Sequence, residues 1–331
     1  MKNVLSNTLV SLEEAKDLIR KGEPLSVAGS EELLAQLPAG NWIGGTSSYF
    51  MAEGGGVLSS DQVFVSHLPE GAGICFKTYE ADQLHDIMDD APDNGFSMVI
   101  IPSGSGALRQ FSEGSRYWED ILLKPVVGWV SGINLADLGK AVPKVFLGTD
   151  ASAHDNVAVV AHVSLPAHQL ALVETVNIFE RDESCVIRFD ERGTEVVDCV
   201  VDGQRMKFID FLKSKGNEDG KLPIIGNFSG ANINVSIQSV DEESGKVTFY
   251  APVFQDVEYS LAKDIADYSA RFTSELDNCD STGLVSSCNC ILNYLHGELE
   301  GKKAGELQGP ITFGEIAYLL HNQTLVTLRV L

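Results

Sequence analysis

Gly314-Glu315, followed six residues on by His321-Asn322, places a carboxylate, an imidazole and an amide in one short stretch behind a glycine. The glycine permits close backbone approach, Glu315 offers a carboxylate to an amine or amide, and His321 and Asn322 supply donors and acceptors. That inventory suits a zwitterion. The same side chains could instead satisfy strand ends and backbone groups, and both readings stand. Cys279, Cys288 and Cys290, with His296 and His321 beyond them, have the ligand types of a zinc site. The spacing is poor for it: there is no C-x-x-C pair, and Cys288 and Cys290 at the start of a predicted helix would point in different directions, so no metal is expected. A thiol at a helix N-terminus has its pKa lowered, which makes Cys288 the candidate for a reactive or ligand-contacting cysteine.

A second group is glycine-rich. Gly44-Gly45-Thr46-Ser47-Ser48 ends an extended segment begun by Trp42, and Pro125 to Gly132 reads P-V-V-G-W-V-S-G, with Gly128, Ser131 and Gly132 at its close. Pro223 to Gly230 repeats the pattern of a proline, two β-branched residues, G, two variable positions, S, G, and residues 42–47 are a looser version. Each would be a buried strand running into glycines where a backbone or ligand comes close; duplication and chance both explain the echo. Pro102 to Gly106 resembles an anion-cradling turn, but no G-x-G-x-x-G and no Walker lysine accompany it, so no cofactor is expected. Thr46, Ser47 and Ser48 are hydroxyl nucleophiles in principle, without a G-x-S-x-G elbow. His154 with Asp150 and Asp155 reads as a solvated loop rather than a cation site.

The elements that would position these groups alternate in period, predicting an α+β protein of mixed, largely antiparallel sheets flanked by a minority of helices. Ser11 and Glu14 form a capping box for a helix over 12–21 closed by Gly22. Further helices are predicted over 31–37, 81–90, 206–214, 261–276 and 288–299. Hairpins are predicted from 63–66 to 73–78 around Pro69 to Gly71, from 157–163 to 170–179 around Pro166 to His168, and from 233–240 to 246–250. Strands are expected over 98–101, 126–130, 144–147 and 325–330. The chain divides into an N-terminal helical segment, 1–40, and two related halves, 41–182 and 183–331.

With 331 residues, 44% of them hydrophobic and 21% charged, the chain can bury a large core. Asp and Glu number 47 against 24 Lys and Arg, a net charge of -23, which argues against nucleic acid and anionic bilayers as partners. The most apolar stretch, 157–176, is broken by His162, Ser164, Pro166, His168 and Gln169, so no membrane span is expected. The N-terminus lacks the features of a signal or transit peptide, and six cysteines are too sparse for a disulfide framework; both point to the cytoplasm.

The ordered blocks Leu284 to Asn289, Gly309 to Ile316 and His321 to Leu325 resemble the end of the C-terminal half of the FIST family. Residues 125–132, 157–179 and 247–260 are similar to its N-terminal half and the approach to its C-terminal half. The resemblance is sharp over about the last fifty residues, and residues 1–40 fall outside it. Cys290-Ile291-Leu292 and Gln255-Asp256 depart from the family pattern. The resemblance implies a bacterial sensory protein that holds a small polar, amino-acid-like metabolite between its halves and signals through a partner protein. On that reading Cys288, Asn289, Gly314, Glu315, His321 and Asn322 line the pocket, with Gly128, Ser131 and Gly132 or Gly44, Gly45 and Thr46 contributing from the other half. An enzyme with Cys288 or Thr46 as nucleophile, and an acidic scaffold that docks a basic protein, are the alternatives.

Overall fold

The computed structural model describes residues 7–70, 72–228 and 230–331. Residues 1–6 of the N-terminal segment, Gly71 in the first expected hairpin turn and Ser229 in the second echo lie outside them. The protein is α+β: three six-stranded mixed sheets, one six-stranded and one three-stranded antiparallel sheet, and short helices.

The three mixed sheets share one plan. Each has a parallel pair at its centre: Leu25–Gly29 with Trp42–Thr46, Gly95–Pro102 with Val126–Ser131, and Leu284–Cys290 with Gly309–Thr312. A parallel pair needs a crossover, and each has a helix in it: Glu31–Leu34, Gly106–Gly114 and Ile291–His296. The strands Gln62–His67, Ala158–Ser164 and Leu325–Val330 pair antiparallel to the first member of each. A two-stranded hairpin lies beside the second member.

That hairpin is exchanged between units. The chain leaving Trp42–Thr46 forms Tyr49–Ala52 and Gly55–Leu58 on the third sheet. The chain leaving Val126–Ser131 forms Val145–Leu147 and Ser152–His154 on the first. The chain leaving Gly309–Thr312 forms Glu315–Ala317 and Leu319–His321 on the second. The unit therefore occurs three times, more than the two halves expected, and the 182/183 division runs across two sheets. The third unit is interrupted between Ala171–Val176 and the helix Tyr268–Asp277 by residues 177–267, which carry the two antiparallel sheets.

A common core lies between the three sheets, with Ile43 and Phe64 from the first, Ile100 and Trp129 from the second, and Val285 and Val326 from the third. Helices cover the outer faces. Leu12–Arg20 is capped as expected, Ser11 Oγ accepting from the Glu14 N–H and the Glu14 carboxylate accepting from the Ser11 N–H at 2.9 Å. Its Ala15 and Ile19 pack with Trp42 and Phe146.

Several predicted elements are corrected. Residues 1–40 are not purely helical, since Asn7–Ser11 and Leu25–Gly29 belong to the first sheet. The expected hairpins 63–66/73–78 and 157–163/170–179 do not form: in each, the successive strands join different sheets, because Gln62–His67 closes one unit and Gly73–Tyr79 opens the next. The third expected hairpin is shifted: Ile237–Asp241 pairs Lys246–Val253, while Ala231–Val235 pairs Ile224–Phe228. The longest helix begins at Tyr268, capped by the Asp267 carboxylate, and not at Leu261, which ends a strand. Residues 81–90 split into a 3-10 turn, Ala81–Gln83, and a short helix, Asp86–Asp90.

A buried chain of hydrogen bonds pins the edge strand Gly73–Tyr79. Tyr79 donates to Asp90 Oδ2 at 2.7 Å, so the 2.6 Å contact to His162 Nε2 has the imidazole donating, and Nδ1 then accepts from Ser97 Oγ at 2.9 Å. Lys77 completes the chain at Asp90 Oδ1. Burial pushes the His162 pKa down to about 4.

Candidate functional site

The carboxyl ends of the central parallel strands, where α/β sheets place their ligands, converge between the mixed sheets. Thr46, Ser131 and Thr312 are the last residues of their parallel pairs. Gly132 N–H donates to the Thr46 carbonyl at 2.8 Å, Phe313 N–H donates to the Val130 carbonyl at 3.0 Å, and a Cβ on Gly45 would stand 3.0 Å from Ser131 Cβ. Beside these ends start the exchanged hairpins, at Tyr49, Val145 and Glu315. Only the third unit carries a charged residue type there.

Glu315 is fully buried. Its register partners are Trp129 and His321, so the three share one sheet face, with Ser131 two residues on from Trp129. Thr312 Oγ1 lies 3.0 Å from Oε1 and Thr324 Oγ1 lies 2.9 Å from Oε2. Thr312 Oγ1 is also 3.3 Å from the Asn289 carbonyl. The Thr312 hydroxyl donates to Oε1 over the shorter of its two contacts, and Thr324 donates to Oε2. Burial raises the Glu315 pKa to about 8, and the hydrogen bonds donated by Thr324 and Thr312 offset part of that rise.

On the elements that meet here, four buried side-chain atoms have no hydrogen-bond partner: Ser131 Oγ, Asn289 Nδ2, His321 Nδ1 and Asn322 Oδ1. Buried polar atoms are otherwise almost always partnered. His321 Nε2 lies 3.3 Å from the Ala317 carbonyl and must donate to it, leaving Nδ1 as a bare acceptor; burial holds the pKa near 4. Asn322 Nδ2 donates to the His321 carbonyl, which leaves its oxygen free. Asn289 Oδ1 accepts from Asn293 Nδ2, which leaves its amide nitrogen as the free donor.

The structure thus puts Glu315, His321 and Ser131 on one sheet face, with Gly45, Thr46 and Gly132 at the adjoining strand ends and Gly314 beside Asn322, while the Asn289 side chain turns toward Asn293. Gly314 is placed by packing, since a Cβ there would meet Leu320, Val130 and Asn322. Gly128 joins through its carbonyl, which accepts from the Cys288 thiol at 3.4 Å. Gly44 stands apart, facing Val27 and Trp42 on the outer side of its sheet. The Thr46 hydroxyl is taken up by the backbone of Lys144, donating to its carbonyl and accepting from its N–H.

Cys288 requires correction. The strand Leu284–Cys290 runs through it, and the helix starts only at Ile291 with Cys290 as its cap. Without a helix N-terminus at Cys288, burial dominates and pushes both thiols well above their ordinary pKa. Cys288 borders a cavity of about 20 Å³ between the three sheets, with Gly128 and Trp129, which is room for one water. Among the described residues, no group of three or more His, Cys, Asp or Glu is placed to hold a metal.

Sequence reasoning missed the residues that hold the carboxyl. Thr312 and Thr324 flank it, and Asn293 bridges Asn289, the Thr324 carbonyl and the Tyr268 hydroxyl. Asn234 donates to the Asn322 carbonyl and forms a reciprocal amide pair with Asn177, at the rim of a 360 Å³ cleft lined by Glu174, Glu275 and Asp280. Polar residues inside otherwise apolar strands, such as Thr312 after Pro310-Ile311, were the available signal.

No helix of the described residues is long and apolar enough to cross a membrane. No curated protein matches the chain. One family model spans nearly all of it, residues 10–331, and on that match the chain belongs to DUF6976, a family of unknown function.

Proposed function

We propose that this chain is a cytoplasmic, FIST-like sensory protein that binds a small polar, amino-acid-like metabolite at the Glu315 centre and passes the signal to a partner protein. The observation that carries the reading is the fully buried Glu315, in the one unit of three that has a carboxyl at this position, among elements that leave four buried polar atoms without a partner. A polar centre left incomplete by the protein costs stability, and a bound molecule completes it. The buried, high-pKa thiols and the engaged Thr46 hydroxyl lend no support to a nucleophilic enzyme.

The test is thermal unfolding against amino acids, amines, nucleotides and divalent metals, with Glu315→Ala beside the parent. A ligand at a hundred times its Kd adds about 2.7 kcal/mol, roughly 4 °C for a chain of this length. A shift for one compound class that Glu315→Ala abolishes is expected; no shift from any compound removes the reading.

A further inference from the structure

We infer that the inserted segment, residues 177–267, is coupled to the Glu315 carboxyl through the turn 322–324 and is the part of the chain that responds to changes there. This rests on the ligand-binding reading for what is sensed, while the coupling itself is tested without a ligand. The turn joins Leu319–His321 to Leu325–Val330, and Asn322, Gln323 and Thr324 are each no more than 1% exposed. Thr324 is gripped from the core. Its Oγ1 donates to Glu315 Oε2 at 2.9 Å, and its carbonyl accepts from Asn293 Nδ2 at 3.0 Å and from the Cys290 N–H at 3.1 Å. Asn322 and Gln323 are gripped by the insertion. Asn234 Nδ2 donates to the Asn322 carbonyl at 3.2 Å, Ser236 Oγ donates to Gln323 Oε1 at 2.6 Å, and Gln323 Nε2 donates to the Lys221 carbonyl at 3.2 Å. Between the two grips Gln323 is held at φ 50°, a left-handed conformation that a residue other than glycine keeps where its surroundings over-determine it. Loosening either grip therefore lets the turn relax and weakens the other, and the effect runs equally in both directions. The insertion also packs against the carboxyl's own hairpin, since Ile316 and Leu320 share a core with Val235 and Phe249. Asn234 and Ser236 are thus positioning residues, acting on Glu315 through Thr324. The other titratable groups facing Glu315 are Cys288 and Cys290 on Leu284–Cys290, His321 on the partner strand and Tyr268 on its helix. Burial pushes the thiols and the phenol up and the imidazole down to about 4.

The experiment follows the Glu315 carboxyl in the full chain by its infrared C=O band from pH 5 to pH 9, against Glu315→Gln, in the parent, Thr324→Val, Ser236→Ala and Ser236→Thr. Amide hydrogen exchange of the same proteins is read by mass spectrometry at pH 7. Thr324→Val removes a donor to the carboxylate and should raise the titration midpoint by roughly one pH unit. Ser236→Ala, in the insertion and without contact to the carboxyl, should shift it in the same direction by a smaller amount. Ser236→Thr keeps the hydroxyl and should restore the parental midpoint, which separates the coupling from a general loss of stability. In the reverse direction, Thr324→Val should quicken exchange in Ile224–Phe228 and Ala231–Val235 of the insertion several-fold and leave Leu25–Gly29 in the first sheet as in the parent. A Ser236→Ala midpoint equal to the parent's, or insertion amides unmoved by Thr324→Val, overturns the coupling and leaves the ligand-binding reading standing. A parent without the band leaves the exchange measurement to decide the coupling by itself. A ligand screen without a hit removes what is sensed and leaves the coupling to these variants.

Discussion

Replacing Glu315 by Gln tests whether the buried carboxyl is neutral. In the fold its pKa is about 8 against an ordinary 4.5. A folded pKa above the unfolded one means that stability is fully present below pH 4.5 and is lost as pH rises toward 8, because the unfolded chain sheds the proton first. At about 1.36 kcal/mol per pH unit, the loss between pH 5 and pH 8 comes to about 3 kcal/mol. With an unfolding entropy of ~2 cal/mol/K per residue, that is about 4 °C in Tm. Glutamine is isosteric with the acid and keeps an oxygen to accept from a threonine hydroxyl, but it does not titrate. Thermal unfolding of both proteins at pH 5, 6, 7 and 8 should therefore show the variant gaining about 4 °C on the parent across the range. Other titrating groups are common to both and cancel. Equal slopes would refute the raised pKa of the buried carboxyl.

Further outcomes follow from the same physics. His162 is held neutral with its pKa near 4, below its ordinary 6.5, so it withdraws about 3 kcal/mol of stability as pH falls from 6.5 to 4; His162→Gln should flatten that acid limb in urea unfolding. Gly128→Ala would set a Cβ 1.8 Å from the Val99 carbonyl oxygen, between two central parallel strands, and should cost more than 3 kcal/mol or prevent soluble expression. Cys288 and Cys290 should resist iodoacetamide at pH 7.5 in the native protein while exposed Cys75 reacts, and mass spectrometry of the labelled peptides would read this directly.

Local features were legible where the physics is local. Ser11 with Glu14 marked a helix start, and residues 42–47 and 125–132, matched on a few glycines, are equivalent strands of successive units. The third member of that set is Gly309–Thr312, whereas Pro223 to Gly230 lies in the interrupting segment, so a short pattern found one true repeat and one coincidence. Exchange of hairpins between units was hidden, because pairings such as Glu315 with Trp129 join residues far apart in sequence and leave no periodic trace. Cys288 was misplaced for a related reason. An apolar run containing β-branched and small residues serves a buried strand as well as a helix, and only the partner strands Leu325–Val330 and Gly309–Thr312 decide it. Glu315, His321 and Asn322 were visible as residue types, but what holds the carboxyl is Thr312, at the end of a strand, and Thr324, in the loop before Leu325–Val330.

The most direct test of the central claim is infrared difference spectroscopy of the parent and Glu315→Gln between pH 5 and pH 9. A protonated-carboxyl C=O band that is lost as pH rises through about 8, and is absent from the variant, is the predicted result. A spectrum in which that carboxyl is already ionised at pH 5 would contradict it.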